Sequence, residues 1–297
     1  MSEEKIRFID THGHVNFSAF KDDGFNVIER ALTGGVGVIM PGSQIDTSRR
    51  AVEYAEKLNH PYIRAAVGLH PIHLEDIEVD SDEVENQPKF HTRKEEFREA
   101  SYEDLIKSSD KIVAIGEVGL DYWRLSKDEK ESSVYKARQI DVLNSQLELA
   151  SQYGLPAILH CRKAHDDLLS VLEDADIIKE VFPPGVIHCY TGGKKQLKAF
   201  LSLGFYIGYN GIIFKMNLDD VIKATPLDRI LLETDSPYLT PPFLGNARNE
   251  PMNVKYVAEK IAEIKGVLVE EVANQTTDNA AKVFKLNAKP LHLSTSG

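Results

Sequence analysis

The chain contains 297 residues, of which 42% are hydrophobic and 27% are charged, and its formal net charge is −11. A chain of this length and composition can bury a large core, and α/β barrels of this size are single domains. The acidic balance excludes a passive nucleic-acid binder with a globally basic surface, but it permits an enzyme with a local basic pocket.

Short apolar runs alternate with segments of helical period along the chain. The predicted strands are Ile6–Asp10, Val36–Met40, Tyr62–Val67, Lys111–Glu117, Pro156–His160, Gly185–His188, Phe205–Tyr209 and Arg229–Glu233. The predicted helices are Gly24–Leu32, Asp46–Leu58, Glu129–Tyr153, Ala164–Glu173, Lys194–Leu203, Asn217–Ala224, Val254–Ile264 and Val269–Phe284. Eight alternating units predict a parallel sheet closed into a single-domain (β/α)8 TIM barrel, and an open doubly wound sheet is the alternative.

Two segments break this alternation. Between Glu75 and Ala100, ten acidic and four basic side chains occur with little apolar periodicity, which indicates a solvated insertion or mobile loop. A lid or a partner-binding segment is the functional alternative. Residues 287–297 are predicted to be a disordered tail, so residues 1–286 make up the predicted domain.

Cysteine content and targeting signals restrict the cellular setting. The two cysteines, Cys161 and Cys189, lack a Cys-x-x-Cys spacing, so neither a disulfide framework nor a structural zinc site is expected. The N-terminus lacks the features of a signal or transit peptide, and no apolar run approaches the roughly 20 residues that cross a bilayer. We expect a cytoplasmic protein, with the nucleus as a further option, and no membrane partner. Glycine-rich nucleotide-binding motifs are absent, so no nucleotide cofactor is expected.

Histidines and acids stand at the predicted carboxyl ends of six strands. They are His12 and His14 after the first strand, then His70, Glu117, His160, His188 and Asp235. In barrel enzymes the active site is assembled at this end of the strands. Each residue alone is more often a hydrogen-bonded polar side chain, but the joint pattern favours a metal centre at the C-terminal face of the barrel.

The candidate ligands combine imidazoles with carboxylates, which suits zinc, manganese or magnesium. The set is too large for one tetrahedral shell, so a two-metal site bridged by Glu117 is the simplest arrangement. Cys161 and Cys189 each follow a candidate histidine. Because side chains alternate along a strand, we expect both cysteines to be core residues that face the outer helices.

Seven motifs in register resemble those of a known family. They are Asp10–His14, Gly68–Pro71, Gly116–Asp121, His160–Arg162, His188–Gly192, Glu233–Leu239 and Arg248–Pro251. Their order resembles that of TatD-type metal-dependent deoxyribonucleases, a family of amidohydrolase-like barrels, from about residue 6 to Leu286. Gly13 and Gly208 depart from the pattern, which frequently has Cys and Ser there, and the acidic insertion is longer than in compact members.

The resemblance implies a (β/α)8 barrel with two or three divalent ions. It implies metal-binding roles for His12, His14, Glu117, His160, His188 and Asp235. In that family pattern Glu117 is the bridging carboxylate, and His160 and His188 bind the second ion. His70, Asp121 and Arg162 match positions near the substrate phosphate or an extra ion.

The expected reaction is exonuclease-type hydrolysis of a phosphodiester by a metal-activated water. Glu117 and Asp235 are the expected catalytic residues, and Asp235 orients the water and takes its proton. Arg162 is the expected phosphate clamp because its guanidinium donates two bonds at once, and a structural salt bridge is its alternative role. We expect a monomer that acts on single-stranded DNA or DNA 3′ ends.

Basic and aromatic side chains follow several strand ends. Lys163, Lys194, Lys195, Lys215 and Arg248 could ring the mouth and guide nucleic acid, with solvated surface charges as the alternative. Tyr122, Trp123, Tyr190 and Phe214 could stack on bases, with packing inside the fold as the alternative.

Two other functions remain open from the residues. The same centre could hydrolyse an ester or amide, including the bond of an aminoacyl-tRNA. Many related barrels use a carboxylated lysine as the bridge, so the presence of Glu117 favours the nuclease branch. A non-catalytic scaffold that docks partners through the acidic insertion is the remaining hypothesis.

Overall fold

A computed structural model of the chain describes residues 6–76, 78–79, 90–174 and 184–286. The predicted disordered tail, residues 287–297, lies outside the described residues, as do residues 77 and 80–89 of the acidic segment. Within the described ranges, no helix combines the length and the apolar character needed to cross a bilayer.

Strands occupy ten stretches of the described chain. They are β1 (Phe8–Asp10), β2 (Val36–Pro41), β3 (Ile63–Val67), β4 (Glu78–Val79), β5 (Phe90–His91), β6 (Ile112–Asp121), β7 (Ala157–Arg162), β8 (Gly185–Ile187), β9 (Tyr206–Tyr209) and β10 (Ile230–Leu232). Strands β4 and β5 form a small antiparallel pair. The other eight form one parallel sheet in the order in which they occur along the chain.

Thr11 connects the first strand to the last. Its backbone N–H and its hydroxyl both donate to the carbonyl oxygen of Leu232 at 3.0 Å. This contact draws β1 beside β10, so the sheet curls into a nearly closed (β/α)8 barrel in a single domain. The predicted barrel is therefore confirmed over the open-sheet alternative.

Helices follow the strands on the outside of the barrel. They are α1 (Gly24–Thr33), α2 (Ile45–Leu58), α3 (Glu99–Ser108), α4 (Glu129–Tyr153), α5 (His165–Asp174), α6 (Lys194–Ser202), α7 (Asp219–Ala224), α8 (Val254–Lys265) and α9 (Val269–Phe284). Helix α4 begins at a cap in which Asp128 accepts the backbone N–H groups of Lys130 and Glu131, and it ends at Gly154, where φ is +60°.

Helix α3 is absent from the predicted elements. Tyr102 is its buried side chain, while Leu105 and Ile106 are only partly buried against the core. These three residues lie at i, i+3 and i+4, so the apolar stripe spans a single turn, which is too short to predict a helix from periodicity.

The acidic segment packs on the barrel in part. The Glu95 carboxylate accepts the backbone N–H of Ile45 at 3.2 Å and the Tyr102 hydroxyl at 2.7 Å. The Gln44 side chain donates to the Arg93 carbonyl oxygen at 2.8 Å. Residues 93–95 are thus docked on the start of α2, whereas the composition indicated a solvated loop.

Alternating strand residues separate two apolar layers. Every barrel strand contributes to the inner layer, which includes Ile9, Ile39, Ala66, Val113, Ala114, Ile158, Val186, Tyr206 and Leu231. The outer layer lies between strands and helices and includes Val38, Leu159 and Ile187. Because the period of a strand is two residues, a side chain two positions beyond an inner residue also faces inward.

Asp10 fixes the start of the chain to the loop after β10. Its Oδ1 accepts the backbone N–H groups of Thr234 at 2.9 Å and His12 at 3.2 Å, and its Oδ2 accepts the Thr234 hydroxyl at 2.6 Å. Burial raises the pKa of Asp10 to about 7 although these hydrogen bonds act to lower it. These three hydrogen bonds, called here the Asp10 lock, set the relative position of His12 and Asp235.

Asp10→Ala should lower the free energy of unfolding by about 2–4 kcal/mol, because three buried donors lose their acceptor. Asp10→Asn keeps one acceptor oxygen at nearly the same volume, so it should cost less. Urea denaturation of the three proteins measures both effects. Equal losses below about 1 kcal/mol for both variants would show that the lock does not hold the barrel together.

Candidate metal centre

The candidate ligands lie on inward-facing positions beyond the inner apolar layer. His160 is two residues after Ile158, His188 is two after Val186, and Asp235 is four after Leu231. Cys161 faces the opposite way and lies in the outer core, as expected. The same alternation that builds the core therefore delivers these side chains to the C-terminal mouth.

Strand β6 reaches the mouth through an irregularity. Its pairing with β7 shifts between Ile115 and Val118. Ile115, Val118 and Leu120 all pack in the outer layer, so the shift inserts one extra residue between outward-facing positions. Glu117 and Asp121 therefore turn inward.

His12 and His14 face each other at the centre of the mouth. Their Nε2 atoms are 3.0 Å apart. Glu117 Oε2 lies 3.4 Å from His12 Nε2 and 3.5 Å from His14 Nε2. Asp235 Oδ1 lies 3.5 Å from His14 Nε2 and 3.9 Å from His12 Nε2. Two imidazoles and two carboxylates thus converge on one small volume.

Three overlapping groups of side chains could each hold a metal ion. Within each group, the ligand atoms all lie within 4.8 Å of one another. The groups are His12, His14 and Asp235; His12, Glu117 and His188; and His70, Glu117 and His160. All six predicted ligands are brought together. His70, expected near the phosphate, joins them, with its Nε2 3.5 Å from Glu117 Oε1.

Outer contacts orient two of the histidines. His14 Nδ1 lies 3.1 Å from the Pro41 carbonyl oxygen, and His188 Nδ1 lies 2.9 Å from Glu233 Oε2. Each partner accepts a hydrogen bond from the Nδ1–H group, so the lone pair of Nε2 faces the mouth and can coordinate an ion. Such outer partners fix the tautomer and orientation of metal-binding histidines.

His160 lies between two carboxylates. Its Nδ1 is 3.0 Å from Glu117 Oε1, and its Nε2 is 3.0 Å from Asp121 Oδ2. Asp121, expected near the substrate phosphate, is therefore tied to a ligand histidine. An ion bound by Glu117 and His160 would replace one of these hydrogen bonds, and the other would hold the ring in place.

The buried imidazoles and carboxylates of the centre shift one another's pKa values. Burial alone would lower the pKa of His14, but hydrogen bonds to Asp235 and Glu117 outweigh it and raise that pKa to about 9. For His160 the contacts with Asp121 and Glu117 likewise overcome burial and raise the pKa to about 10. Burial and the nearby His188 lower the pKa of His12 to about 4.

These observations fit a divalent cation. A nitrogen lies about 2.0–2.1 Å from a bound zinc ion, so two nitrogens of one tetrahedral shell are roughly 3.3 Å apart. The 3.0 Å between His12 Nε2 and His14 Nε2 is close to that separation. The carboxylates that draw protons onto His14 and His160 would equally stabilise positive metal charge. The donor set is nitrogen and oxygen, which suits zinc, manganese or magnesium.

A family model described as TatD related DNase matches residues 9–285. The chain belongs to the TatD-related DNase family. The match confirms the resemblance read from the seven motifs, and with it the prediction of a TatD-type metal-dependent hydrolase.

Individual relatives agree with this membership. The chain is 35% identical over 286 residues to the uncharacterized metal-dependent hydrolase YabD of Bacillus subtilis strain 168, covering 94% of this chain and 99% of YabD. It is 32% identical over 278 residues to the 3′-5′ ssDNA/RNA exonuclease TatD of Erwinia billingiae, covering 91% and 95%. The crystal structure of the TatD homologue YjjV from Escherichia coli K12 superposes with a TM-score of 0.77 at 31% identity, covering 94% and 98%.

Most of the predicted rim residues are engaged by the TatD barrel itself. Tyr122 and Tyr190 are buried, and Phe214 packs 5.5 Å from Phe243 between ring centroids. Arg248 does not point a free charge at the mouth, because its guanidinium donates to both carboxylate oxygens of Asp23. Lys194 pairs with Asp220 at 3.1 Å. Among the predicted aromatic side chains, Trp123 is the one with large exposure, at 42%.

The Cys189 prediction is wrong in its direction. The residue has a φ of +47° just after β8, which ends the strand alternation. Its half-buried thiol contacts Asn210 Oδ1 at 3.5 Å rather than the apolar side chains of the outer layer.

Glu233 is missing from the predicted site residues. It lies in the same motif as Asp235, two residues before it, so strand alternation points both side chains inward. This spacing could have identified Glu233 from the sequence. Strand register places Gly208 beside Leu231, and a Cβ at Gly208 would lie 1.9 Å from Glu233 Oε1. The departure from Ser at position 208 therefore makes room for the carboxylate that orients His188.

Metal binding should expel protons, because His14 and His160 hold protons at neutral pH when no cation is present. The apparent affinity for Mn²⁺ should rise as the pH rises from about 6 to 9, and about one to two protons should leave at pH 7. Calorimetry in buffers of different ionisation enthalpy counts these protons. Affinity independent of pH, with no proton released, would contradict the assigned ligands.

Glu233→Ala should weaken metal binding by about 10- to 100-fold, because His188 loses the partner that orients it. Gly208→Ala should act in the same direction by displacing the same carboxylate. Equilibrium dialysis with Mn²⁺ measures both variants, and Glu29→Ala on the exposed side of α1 serves as a matched control. Unchanged Mn²⁺ affinity in both variants would show that the contact between Glu233 and His188 does not contribute to metal binding.

Proposed function

We propose that this TatD-family chain is a metal-dependent phosphodiesterase that removes nucleotides from the 3′ ends of single-stranded DNA. The observation that carries the proposal is the convergence of five histidines on the buried Glu117 carboxylate, with Asp235 beside three of them. The Erwinia billingiae relative is named a 3′-5′ ssDNA/RNA exonuclease, which supports a nucleic-acid strand as the substrate.

Two divalent ions, of magnesium, manganese or zinc, would use the predicted ligands. His12, His14 and Asp235 would hold one ion, and His160 and His188 would hold the other. Glu117 would bridge them, since its two oxygens face different histidines. The group of His70, Glu117 and His160 is the place for a third ion. When bound, such ions lower the pKa of a coordinated water and neutralise phosphate oxygens.

Asp235 and Glu117 would divide the catalytic work. The Asp235 side chain is 17% exposed and that of Glu117 is 6% exposed. Asp235 can therefore reach a water that enters with the substrate, orient it and accept its proton. Glu117 is too enclosed for that role and positions the surrounding imidazoles.

Arg162 would bind the substrate phosphate. It lies two residues beyond His160 on β7, so its side chain points to the same side of the strand. The guanidinium is half-buried, and no carboxylate of the described residues forms an ion pair with it, which leaves its donors for an oxyanion. The salt bridge named as its alternative role is not formed within those residues.

The remaining details of the proposal come from the sequence. We assign the active species as a monomer in the cytoplasm, where free thiols such as Cys161 and Cys189 persist. Ester or aminoacyl-tRNA hydrolysis would use the same centre on another bond, so a direct comparison of substrates separates these activities.

Metal-stripped protein should release no nucleotides from 5′-labelled single-stranded DNA, and added Mg²⁺, Mn²⁺ or Zn²⁺ should restore release. Glu117→Ala should lower kcat/KM by at least about 1,000-fold, because both ions lose their shared ligand. Single-turnover assays with 5′-labelled and 3′-labelled strands measure both the rate and the polarity.

Controls distinguish the other functions. Glu259→Ala, on the exterior helix α8, should leave the rate unchanged. Faster turnover of an aminoacyl ester than of DNA would show that ester hydrolysis, and not DNA hydrolysis, is the main activity. A cellular phenotype that survives Glu117→Ala but not deletion of residues 75–100 would favour the non-catalytic scaffold.

A further inference from the structure

Trp123 stands at the lip of the candidate metal centre. It follows β6, and its backbone N–H donates to Asp121 Oδ1 at 2.9 Å. Asp121 in turn contacts His160, which contacts Glu117. Trp123 is the sole tryptophan of the chain, and 42% of it is exposed. An indole in this place is within a short series of direct contacts from the ligands.

Two cations rest on this indole. The guanidinium carbon of Arg162 is 4.2 Å from the ring centroid, and the Lys163 ammonium is 4.0 Å from it. Adjacent like charges repel each other, and the negative face of an aromatic ring offsets part of that repulsion. Lys163 has a φ of +56°, so the chain turns sharply where it brings the second charge to the same ring.

The two cations have no acidic partner among the described residues. By contrast, Arg248 forms an ion pair with Asp23, and Arg30 forms one with Glu250. A pair of neighbouring charges without a counterion, held at the edge of a centre, is complementary to an anion that comes from outside.

We propose that Trp123, Arg162 and Lys163 form a subsite for the phosphate that neighbours the scissile phosphodiester. Arg162, whose guanidinium carries five donors, spans the scissile phosphate and this neighbour. Lys163 contacts the neighbour alone, and Trp123 is a positioning residue that holds both cations through its ring. Strand register pairs Asp121 with Arg162, so the subsite adjoins the metal ligands on the β6–β7 side of the mouth. The inference rests on the proposed phosphodiesterase function and extends it by assigning a second phosphate contact.

The test uses metal-loaded full-length protein and a thymidine trinucleotide. One form has two phosphodiester linkages, and the other has an uncharged methylphosphonate at the linkage next to the scissile one. Trp123→Leu should raise KM for the charged trinucleotide by about five- to twentyfold with kcat within twofold, because the cations lose their positioning ring. Lys163→Gln should also raise KM for the charged trinucleotide, and Trp123→Tyr should give a KM close to that of the parent protein.

The methylphosphonate form separates a subsite from a general defect. With the neighbouring charge removed, the parent protein should show a raised KM, and Trp123→Leu should add little to it. Lys57→Gln is the matched control. Lys57 lies in the last turn of α2, and its ammonium is 4.2 Å from the centroid of the Phe25 ring. Removing this cation should leave the KM for both trinucleotides unchanged. An unchanged KM in Trp123→Leu, or an equal rise on both trinucleotides, would overturn the subsite.

Direct binding keeps this test independent of the nuclease activity. Trp123 is the sole source of tryptophan emission, so its fluorescence reports occupancy whether or not the bond is cleaved. If no phosphodiester is hydrolysed, a lower dissociation constant for the charged trinucleotide than for the methylphosphonate form still supports the subsite. Equal dissociation constants for the two forms would refute it.

Discussion

The Glu117 carboxylate is the group on which the rest of the centre depends. Its Oε2 faces His12 and His14, and its Oε1 lies 3.5 Å from His70, 3.0 Å from His160 and 3.8 Å from His188. A buried anion is costly unless positive charge surrounds it. The nearby imidazoles outweigh the effect of burial and hold the pKa of Glu117 well below its usual value. Divalent cations bound between these imidazoles and Glu117 would supply the same positive charge.

The sequence was sufficient to predict the barrel and to place the candidate ligands at one end of it. Strand periodicity accounts for His160 and His188, whereas Glu117 turns inward because of the irregularity in β6. A run such as Ala157–Arg162 has outer apolar residues at alternate positions, and the same count sends His160 to the mouth. The count fails where the backbone leaves regular geometry. The apolar stripe of helix α3 spans a single turn, which is too short to predict the helix. Cys189 itself has a φ of +47°, and strand alternation does not apply to a residue in that conformation.

The outer contacts of the site were harder to predict because they depend on strand register. The Glu233 carboxylate fits beside Gly208 of the neighbouring strand because glycine has no Cβ. No local sequence pattern shows that these two residues are close together. Arg248 was misassigned for a similar reason, since its partner Asp23 is 225 positions away in the chain. Type and spacing identified which residues carry chemistry, whereas the contacts that orient them required the fold.

We propose that one mouth holds two cations that share Glu117. The most direct measurement is an anomalous difference map from crystals of the protein soaked in Mn²⁺. The account predicts two peaks about 3.5–4 Å apart, on either side of the Glu117 carboxylate, with His12 and His14 at one peak and His160 and His188 at the other. A single peak away from Glu117, or peaks dispersed over the surface with none at the mouth, would contradict it.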